Sequence, residues 1–98
     1  MDIQLIPEAV TDYELLNRNL KNLINEKIEE LRKNPLLGIA LENKHGIDLT
    51  GFYKIYVAKK TYRIVYRIVK DKVEIWGIGK RDKMEIYRNI GARISDRK

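Results

Sequence analysis

The chain has 98 residues, of which 44% are hydrophobic and 35% are charged. This length supports one domain over residues 1–98 with a single core. No apolar run approaches the ~20 residues that a membrane-spanning helix needs. With no cysteine and one histidine, His45, disulfides and thiolate sites are excluded and a histidine metal centre is disfavoured. We therefore expect no metal and no other cofactor, and, with no signal peptide visible, a cytoplasmic location.

Positive charge is concentrated in the second half of the chain. The whole chain carries a formal net charge of +6. Residues 1–51 hold six Lys and Arg against nine Asp and Glu, a net charge of −3, whereas residues 52–98 hold fourteen against five, a net charge of +9. This distribution favours a polyanionic or acidic partner for the second half.

The first third of the chain predicts a strand followed by helix. Residues 3–6 form a short apolar run that ends at Pro7, which suits the exit from an edge strand. Apolar residues then recur every three or four positions over residues 8–33, as on one face of a helix. Thr11 and Glu14 have the spacing of a capping box with Thr11 as the N-cap. One helix and a hairpin of two both remain open, because the asparagines among residues 17–22 are weak helix formers.

Residues 34–51 have the composition of a loop. Pro35 ends the helical segment because proline disfavours helical geometry in the residue before it. Three glycines follow, with Asn, Asp and Thr between them. Six apolar side chains are expected to anchor this loop to the core: Leu36, Leu37, Ile39, Leu41, Ile47 and Leu49.

Three later runs alternate apolar and polar residues and are joined by short connections, which predicts an antiparallel meander. The runs cover residues 52–58, 61–69 and 73–79. Alternation gives the first two runs an apolar face that can take the helical segment, formed by Tyr53, Ile55, Val57, Tyr62, Ile64, Tyr66 and Ile68. In the third run, Val73 and Ile75 continue this face, while Glu74, Trp76 and Ile78 are expected on the opposite one.

The opposite face of the meander collects Lys54, Tyr56, Arg63 and Arg67. A structural surface more often mixes charges, since like charges on neighbouring strands destabilise a sheet. Glu74 is available as a partner for Arg67, whereas Lys54 and Arg63 have no evident acidic partner on their face. The pattern therefore indicates an anion-binding surface.

A last helix is predicted after Gly79. Asp82 and Glu85 have the spacing of a capping box at its start. Arg81 lies at the helix entrance, and Tyr87 follows about a turn and a half later. The predicted fold is thus α+β, with an N-terminal strand and helical segment on an antiparallel meander and a C-terminal helix.

Four segments carry a resemblance to the RelE/ParE superfamily of bacterial toxin–antitoxin toxins. They are Y-K-I at 53–55, Y-R-I-V-Y at 62–66, D-K-V-E-I at 71–75 and G-K-R-x-x-x-E-x-Y at 79–87. The resemblance implies a RelE-like fold, similar to that of small microbial ribonucleases. It also implies a toxin that enters the ribosomal A site and cleaves mRNA, leaving a 2′,3′-cyclic phosphate. The implied partners are the ribosome, mRNA and a cognate antitoxin.

The resemblance further implies a catalytic set of four residues: Lys54, Arg63, Arg81 and Tyr87. Arg63 would stabilise charge on the phosphate, because guanidinium is permanently charged and binds phosphate with two donors. Lys54 would be the base or a second electrostatic clamp. Arg81 would protonate the leaving oxygen or stabilise its charge. Tyr87 would orient or stack on a base.

Further RNA contacts are predicted at Tyr56, Arg67, Lys59, Lys60, Lys80 and Lys83. RelE-type toxins often carry a second lysine two residues after the first, and here that position is Tyr56. Without the resemblance, Tyr87 would be typical of a core aromatic, and Trp76 is still best explained as a packing residue.

Two other functions compete with RNA cleavage. One is a ParE-like toxin that poisons DNA gyrase by binding. The other is a protein without catalytic activity that binds nucleic acid or an antitoxin. The retained Lys, Arg, Arg and Tyr set favours the ribonuclease.

Overall fold

A five-stranded mixed sheet forms the middle layer of the fold, in the strand order β1-β7-β6-β5-β2. A computed structural model of the chain describes residues 1–44, 46–80 and 85–97. The elements are β1 Asp2–Leu5, α1 Pro7–Glu14, α2 Arg18–Lys33, β2 Ile39–Ala40, β3 Asn43–Lys44, β4 Ile47–Asp48, β5 Phe52–Val57, β6 Tyr62–Val69, β7 Lys72–Lys80 and α3 Glu85–Asp96. This architecture confirms the predicted α+β class. No helix in these ranges is long and apolar enough to cross a bilayer.

The N-terminal helical segment is a hairpin of two helices. Helix α1 begins at Pro7, which suits the first helical position because proline lacks the N–H that would have no partner there. Helix α2 has Asn17 as its N-cap, whose side chain accepts a hydrogen bond from the Leu20 N–H at 2.9 Å. The predicted N-cap at Thr11 is wrong, because Thr11 lies inside α1 and its hydroxyl donates to the Pro7 carbonyl at 3.4 Å.

Strands β5, β6 and β7 form the predicted antiparallel meander, and β1 pairs with β7 in parallel. The register between β6 and β7 shifts after Val65, which lies opposite Gly77 while Tyr66 lies opposite Ile75. Trp76 is therefore an extra residue, a β-bulge. The prediction that Ile78 lies with Trp76 is wrong, because one inserted residue reverses the alternation and Ile78 joins the face of Ile75.

Helices pack on both faces of the sheet. Buried residues on one face pack against α1 and α2: Ile55, Val57, Ile64, Tyr66, Val73, Ile75 and Ile78. Buried residues of the other face and α3 form a second cluster: Phe52, Val65, Trp76, Ile86, Tyr87 and Ile90. The basic face predicted from alternation is thus the face under α3, and only part of it is covered.

The segment between α2 and β5 contains more regular secondary structure than its loop-like composition predicts. It contains β2, which pairs with β5, and a hairpin of β3 with β4. Leu41 and Leu49 are buried and Ile47 packs against the α3 cluster, as expected. The anchoring role is wrong for the other three residues, since Leu36, Leu37 and Ile39 are 67%, 41% and 56% exposed.

Tyr66 anchors this segment in their place. Its buried hydroxyl donates to the Pro35 carbonyl at 2.8 Å and accepts from the Gly38 N–H at 2.9 Å. Burial raises the pKa of this hydroxyl. Glycine is required at position 38, because a Cβ there would lie 2.5 Å from the Tyr66 hydroxyl and 2.7 Å from the Lys54 carbonyl. The Tyr66 hydroxyl therefore holds residues 35–38, where apolar anchoring by Leu36 and Leu37 was expected.

Replacing Tyr66 with Phe should lower the free energy of unfolding by about 1–3 kcal/mol, because the Pro35 carbonyl and the Gly38 N–H lose their buried partner. Urea unfolding would measure this loss. Tyr53→Phe is the matched control, since no hydrogen bond of the Tyr53 hydroxyl occurs within the described ranges and a change below about 0.5 kcal/mol is expected. Equal effects of the two substitutions would contradict the anchoring role.

An exposed ion pair links α1 to Arg97, the residue that follows α3. Arg97 donates from Nη2 to Glu8 Oε1 at 2.6 Å and from Nη1 to Glu8 Oε2 at 2.9 Å. The Arg97 hydrogen bonds lower the pKa of Glu8 from 4.5 to about 2. A lowered carboxylate pKa stabilises the fold above the ordinary value, and this stabilisation is lost as the pH falls from 4.5 towards 2.

Glu8→Gln should therefore unfold at lower urea concentration than wild type at about pH 7, with the difference vanishing as the pH falls to about 2. High salt should also shrink the difference, because the pair is exposed. Glu14→Gln, which removes an exposed carboxylate of the same helix, should show no such pH-dependent difference. A constant difference between Glu8→Gln and wild type over this pH range would contradict the assignment.

Candidate functional site

Arg63 lies at the centre of the candidate site. It stands on β6 opposite Tyr56 of β5 and Gly79 of β7. Its guanidinium carbon lies 5.4 Å from the ring centroid of Tyr56 and 5.0 Å from that of Tyr87. Nη1 donates to the Tyr87 hydroxyl, and Nε is buried without a partner among the described residues. Two tyrosines thus flank one guanidinium.

Glycines on β7 allow α3 to bring Tyr87 to Arg63. A Cβ on Gly77 would lie 2.6 Å from the Ile90 Cδ1, and one on Gly79 would lie 3.0 Å from the Ile86 Cδ1. Helix α3 therefore packs directly on the strand backbone at these positions. The Tyr87 ring is only 2% exposed, so it lies beneath the surface and contacts Arg63 through its hydroxyl.

Three lysines join Arg63 around the two rings. Lys54 Nζ and Lys60 Nζ lie 5.2 Å and 5.7 Å from the Tyr56 centroid. Lys44 Nζ lies 5.9 Å from the Tyr87 centroid. These distances are within the range of cation–π attraction. We call Lys44, Lys54, Lys60 and Arg63 the cationic cluster.

The cationic cluster carries uncompensated positive charge. None of its members forms an ion pair with a carboxylate in residues 1–44, 46–80 and 85–97. The arrangement is therefore suited to bind a phosphate or another anion. Within the same ranges, no group of three His, Asp or Glu side chains that could hold a metal ion occurs.

Sequence reasoning missed Lys44. It lies in β3, inside the segment that its composition marked as a loop, and the β3–β4 hairpin carries it to α3. The hairpin and helix meet closely, since a Cβ on Gly91 would lie 3.0 Å from Ile47 Cγ2. The only sequence signal for Lys44 as a site residue was the lysine itself, close to the turn glycines Gly46 and Gly51.

Arg67 is on the same face but has a different environment. Its Nε donates to Glu74 Oε1 at 2.8 Å, and its guanidinium carbon lies 4.8 Å from the Trp76 centroid. Burial alone would raise the pKa of Glu74, but hydrogen bonds from Arg67 and Trp76 lower it overall. The expected Arg67–Glu74 pair is present, and Trp76 is buried as predicted. The Arg67 charge is thus compensated within the fold.

The remaining predicted RNA contacts lie outside the cationic cluster or outside the described ranges. Lys59 is exposed in the turn after β5, and Lys80 is exposed at the end of β7. Arg81 and Lys83, and with them the predicted cap at Asp82, lie outside the described residues. The structure therefore brings together Lys54, Tyr56, Lys60, Arg63 and Tyr87.

A partly buried ion pair fixes α3, and so Tyr87, on the sheet. Arg93 of α3 donates from Nη1 and Nη2 to the Asp12 carboxylate of α1 at 2.8 Å and 3.0 Å. Arg93 Nη1 also donates to the Trp76 carbonyl at 2.8 Å, and the Ile78 N–H donates to Asp12 at 3.0 Å. The pair therefore binds two helices and the bulged strand together.

Fold and sequence together define the class of this protein as a toxin of a type II toxin–antitoxin system, within the RelE/ParE superfamily. The chain belongs to the family described as "ParE toxin of type II toxin-antitoxin system, parDE", whose model matches residues 3–85. It is similar to the mRNA interferase toxin RelE of Escherichia coli strain K12, with 25% identity over 88 residues that cover 88% of each chain.

Solved structures share the fold. The isolated E. coli RelE toxin superposes with a TM-score of 0.69 at 22% identity, covering 95% of this chain and 97% of that one. The RelBE2 toxin–antitoxin complex of Mycobacterium tuberculosis contains a chain with a TM-score of 0.67 at 24% identity, covering 82% of this chain and 96% of that one. The RelE-like fold predicted from the sequence is confirmed.

Asp12→Asn should lower the free energy of unfolding by about 1–3 kcal/mol, between the values typical of exposed and fully buried pairs, because Arg93 loses its carboxylate. Since Arg93 also contacts the carbonyl of Trp76, the only tryptophan, the fluorescence of the folded protein should shift. Asp71→Asn, in an exposed turn, is the control and should change neither quantity. An unchanged unfolding free energy in Asp12→Asn would contradict this account of how α3 is fixed.

Proposed function

We propose that this toxin is a ribosome-dependent endoribonuclease that cleaves mRNA in the ribosomal A site. The observation that carries the proposal is Arg63, held between Tyr56 and Tyr87 within a cationic cluster that has no carboxylate partner among the described residues. The similarity to a protein named as an mRNA interferase toxin supports it. The proposed reaction is attack of a 2′-hydroxyl on its own phosphodiester, which yields a 2′,3′-cyclic phosphate and releases a 5′-hydroxyl.

Arg63 is assigned to stabilise charge on the phosphoryl oxygens. Negative charge grows on these oxygens as the 2′-oxygen attacks, so a guanidinium fixed in advance lowers the barrier. The Tyr87 hydroxyl and the Tyr56 ring hold this guanidinium before any RNA arrives. Tyr87 is thereby assigned a role through Arg63, which fits its burial better than stacking on a base.

Lys54 and Arg81 complete the proposed machinery. Lys54 stands two residues before Tyr56 on the same face of β5, so its ammonium lies beside the same ring as the Arg63 guanidinium. We assign it to clamp the phosphate. Arg81, outside the described residues, keeps the role at the leaving 5′-oxygen that the family resemblance implies.

The cationic cluster supplies charge, while correct placement of the RNA is assigned to the ribosome. Orientation of reacting groups contributes a large part of many rate enhancements. A ribosome that presents the codon would provide it here. The proposed antitoxin partner is supported by similarity to the RelBE2 chain, which was solved in a toxin–antitoxin complex. An acidic antitoxin segment would neutralise the cationic cluster, in the cytoplasm where the ribosomes are.

A ParE-like toxin that acts on DNA gyrase by binding is the second candidate. The match of residues 3–85 to a family named for the ParE toxin favours it. In this candidate, Arg63 and Tyr87 would serve the fold or a protein interface and have no chemical role. The two candidates differ in the molecule that is damaged in the cell.

Induction of the wild-type chain in bacteria, followed by primer extension on cellular mRNA, separates the two candidates. The ribonuclease predicts cuts within codons that are confined to translated regions. Arg63→Ala should abolish both the cuts and the growth arrest, with a fall in rate of at least about a hundredfold. Arg32→Ala removes an arginine of α2, on the other side of the sheet, and should remain fully toxic.

Growth arrest with intact mRNA and induced DNA damage would overturn the ribonuclease in favour of gyrase poisoning. Full toxicity of Arg63→Ala would overturn the assignment of the site. Circular dichroism and thermal unfolding of the purified Arg63→Ala protein check that it is folded.

A further inference from the structure

Among the described residues, three positive charges lie around the ring of Tyr56. Lys54 precedes it by two residues on β5, and its ammonium lies 5.2 Å from the ring centroid. Arg63 is its cross-strand neighbour, with the guanidinium carbon at 5.4 Å. Lys60 comes from the following turn, with its ammonium at 5.7 Å. One ring is thus the shared contact of three of the four members of the cationic cluster.

The turn after β5 bends back to deliver Lys60 to the ring. Ala58, Lys59 and Lys60 have φ values of 53°, 54° and 70°, in the left-handed region that residues other than glycine seldom adopt. Three consecutive residues in this region are strained, and such strain persists only where the surroundings hold it. The Ala58 carbonyl accepts from both the N–H and the hydroxyl of Thr61, at 3.1 Å and 2.6 Å, and so closes the turn.

The ring separates charges that would otherwise repel one another. Lys54, Lys60 and Arg63 form no ion pair with a carboxylate of the described residues, so no such direct contact offsets their repulsion. The negative face of an aromatic ring attracts each cation and carries no net charge of its own. An incoming phosphate therefore meets cations that are already gathered and not neutralised.

We infer that Tyr56 is a positioning residue whose ring holds Lys54 and Arg63 at the phosphate-binding position of the RNA-cleavage reaction. This inference rests on the proposed function. In this inference, the ring orients Lys54 and Arg63. Because cations lie against the ring, a nucleobase that stacked on it would first displace one of them.

Two substitutions separate the ring from the hydroxyl. Tyr56→Phe keeps the ring, and Tyr56→Leu removes it while leaving a shorter apolar side chain. The rate of mRNA cleavage on programmed ribosomes should stay within about threefold of wild type for Phe and fall by at least about tenfold for Leu. Toxin affinity for the programmed ribosome should stay within about threefold for both, because orientation is lost and charge is kept.

The matched control is Tyr13→Leu. Tyr13 also has a cation on its ring, with the Lys21 ammonium at 5.6 Å from the centroid, but it lies on α1 on the opposite side of the sheet. Its replacement should leave the cleavage rate unchanged. Thermal unfolding of each variant shows whether it is folded at the assay temperature.

A spectroscopic measurement tests the ring contact without ribosomes. The ε-methylene protons of Lys54, assigned with Lys54→Ala, should be shifted upfield by the ring current of Tyr56. The shift should persist in Tyr56→Phe and disappear in Tyr56→Leu. A merely structural role of Tyr56 would not link the Lys54 shift to the cleavage rate in this way.

The outcomes distinguish this inference from the function on which it rests. If wild type cleaves and Tyr56→Leu cleaves equally fast, the inference is overturned and the ribonuclease stands. Equal loss of rate in the Phe and Leu variants would overturn it as well, because the hydroxyl would then be the essential group. If wild type leaves ribosome-bound mRNA intact, the proposed function falls and the inference falls with it.

Discussion

The Asp12–Arg93 ion pair is the interaction on which the α3 side of the molecule depends. At a β-bulge, backbone groups near the extra residue lose their regular ladder partners. Here the Trp76 carbonyl accepts from Arg93 and the Ile78 N–H donates to Asp12, so one ion pair satisfies groups on both sides of the bulge. A Cβ at Gly77 between them would lie 3.0 Å from Arg93 Nη1, so glycine leaves room for the guanidinium there. The bulge, the glycine and the ion pair therefore form one unit that seats α3.

The position of α3 in turn determines the site. Tyr87 reaches Arg63 only because the helix lies directly on the β7 backbone, and Lys44 reaches Tyr87 because the β3–β4 hairpin packs against the same helix. The guanidinium donates a hydrogen bond to the hydroxyl of Tyr87 and contacts the ring of Tyr56. These two contacts differ in physical kind, and together they hold Arg63 without an ion pair to any carboxylate in residues 1–44, 46–80 and 85–97.

Strand alternation predicted much of the site but could not predict where alternation changes. It correctly separated Lys54, Tyr56 and Arg63 from the apolar face. It failed at Ile78, because a bulge is set by the tertiary contacts of Trp76 and leaves no mark in the local pattern.

Thr11 failed as an N-cap for a related reason: Pro7 starts the helix earlier, and a proline after an apolar run fits a strand exit equally well. Lys44 was missed because pairing of two-residue strands depends on contacts remote in sequence.

In the cationic cluster, the contacts that would stabilise the fold differ from the contacts that suit a phosphate-binding site. Arg67 and Arg93 each form an ion pair with a carboxylate at 2.8 Å. Arg63 differs from these two arginines, because it pairs with no carboxylate of the described residues, although Glu74 lies four paired positions further along the neighbouring strand, where it pairs with Arg67. A carboxylate beside Arg63 would stabilise the fold and compete with a phosphate for the same donors. Aromatic rings avoid that competition, because they attract cations and leave the N–H donors that do not face them available to an anion. The choice of tyrosine over a carboxylate at this position is therefore the feature that most clearly separates the candidate site from the structural ion pairs around it.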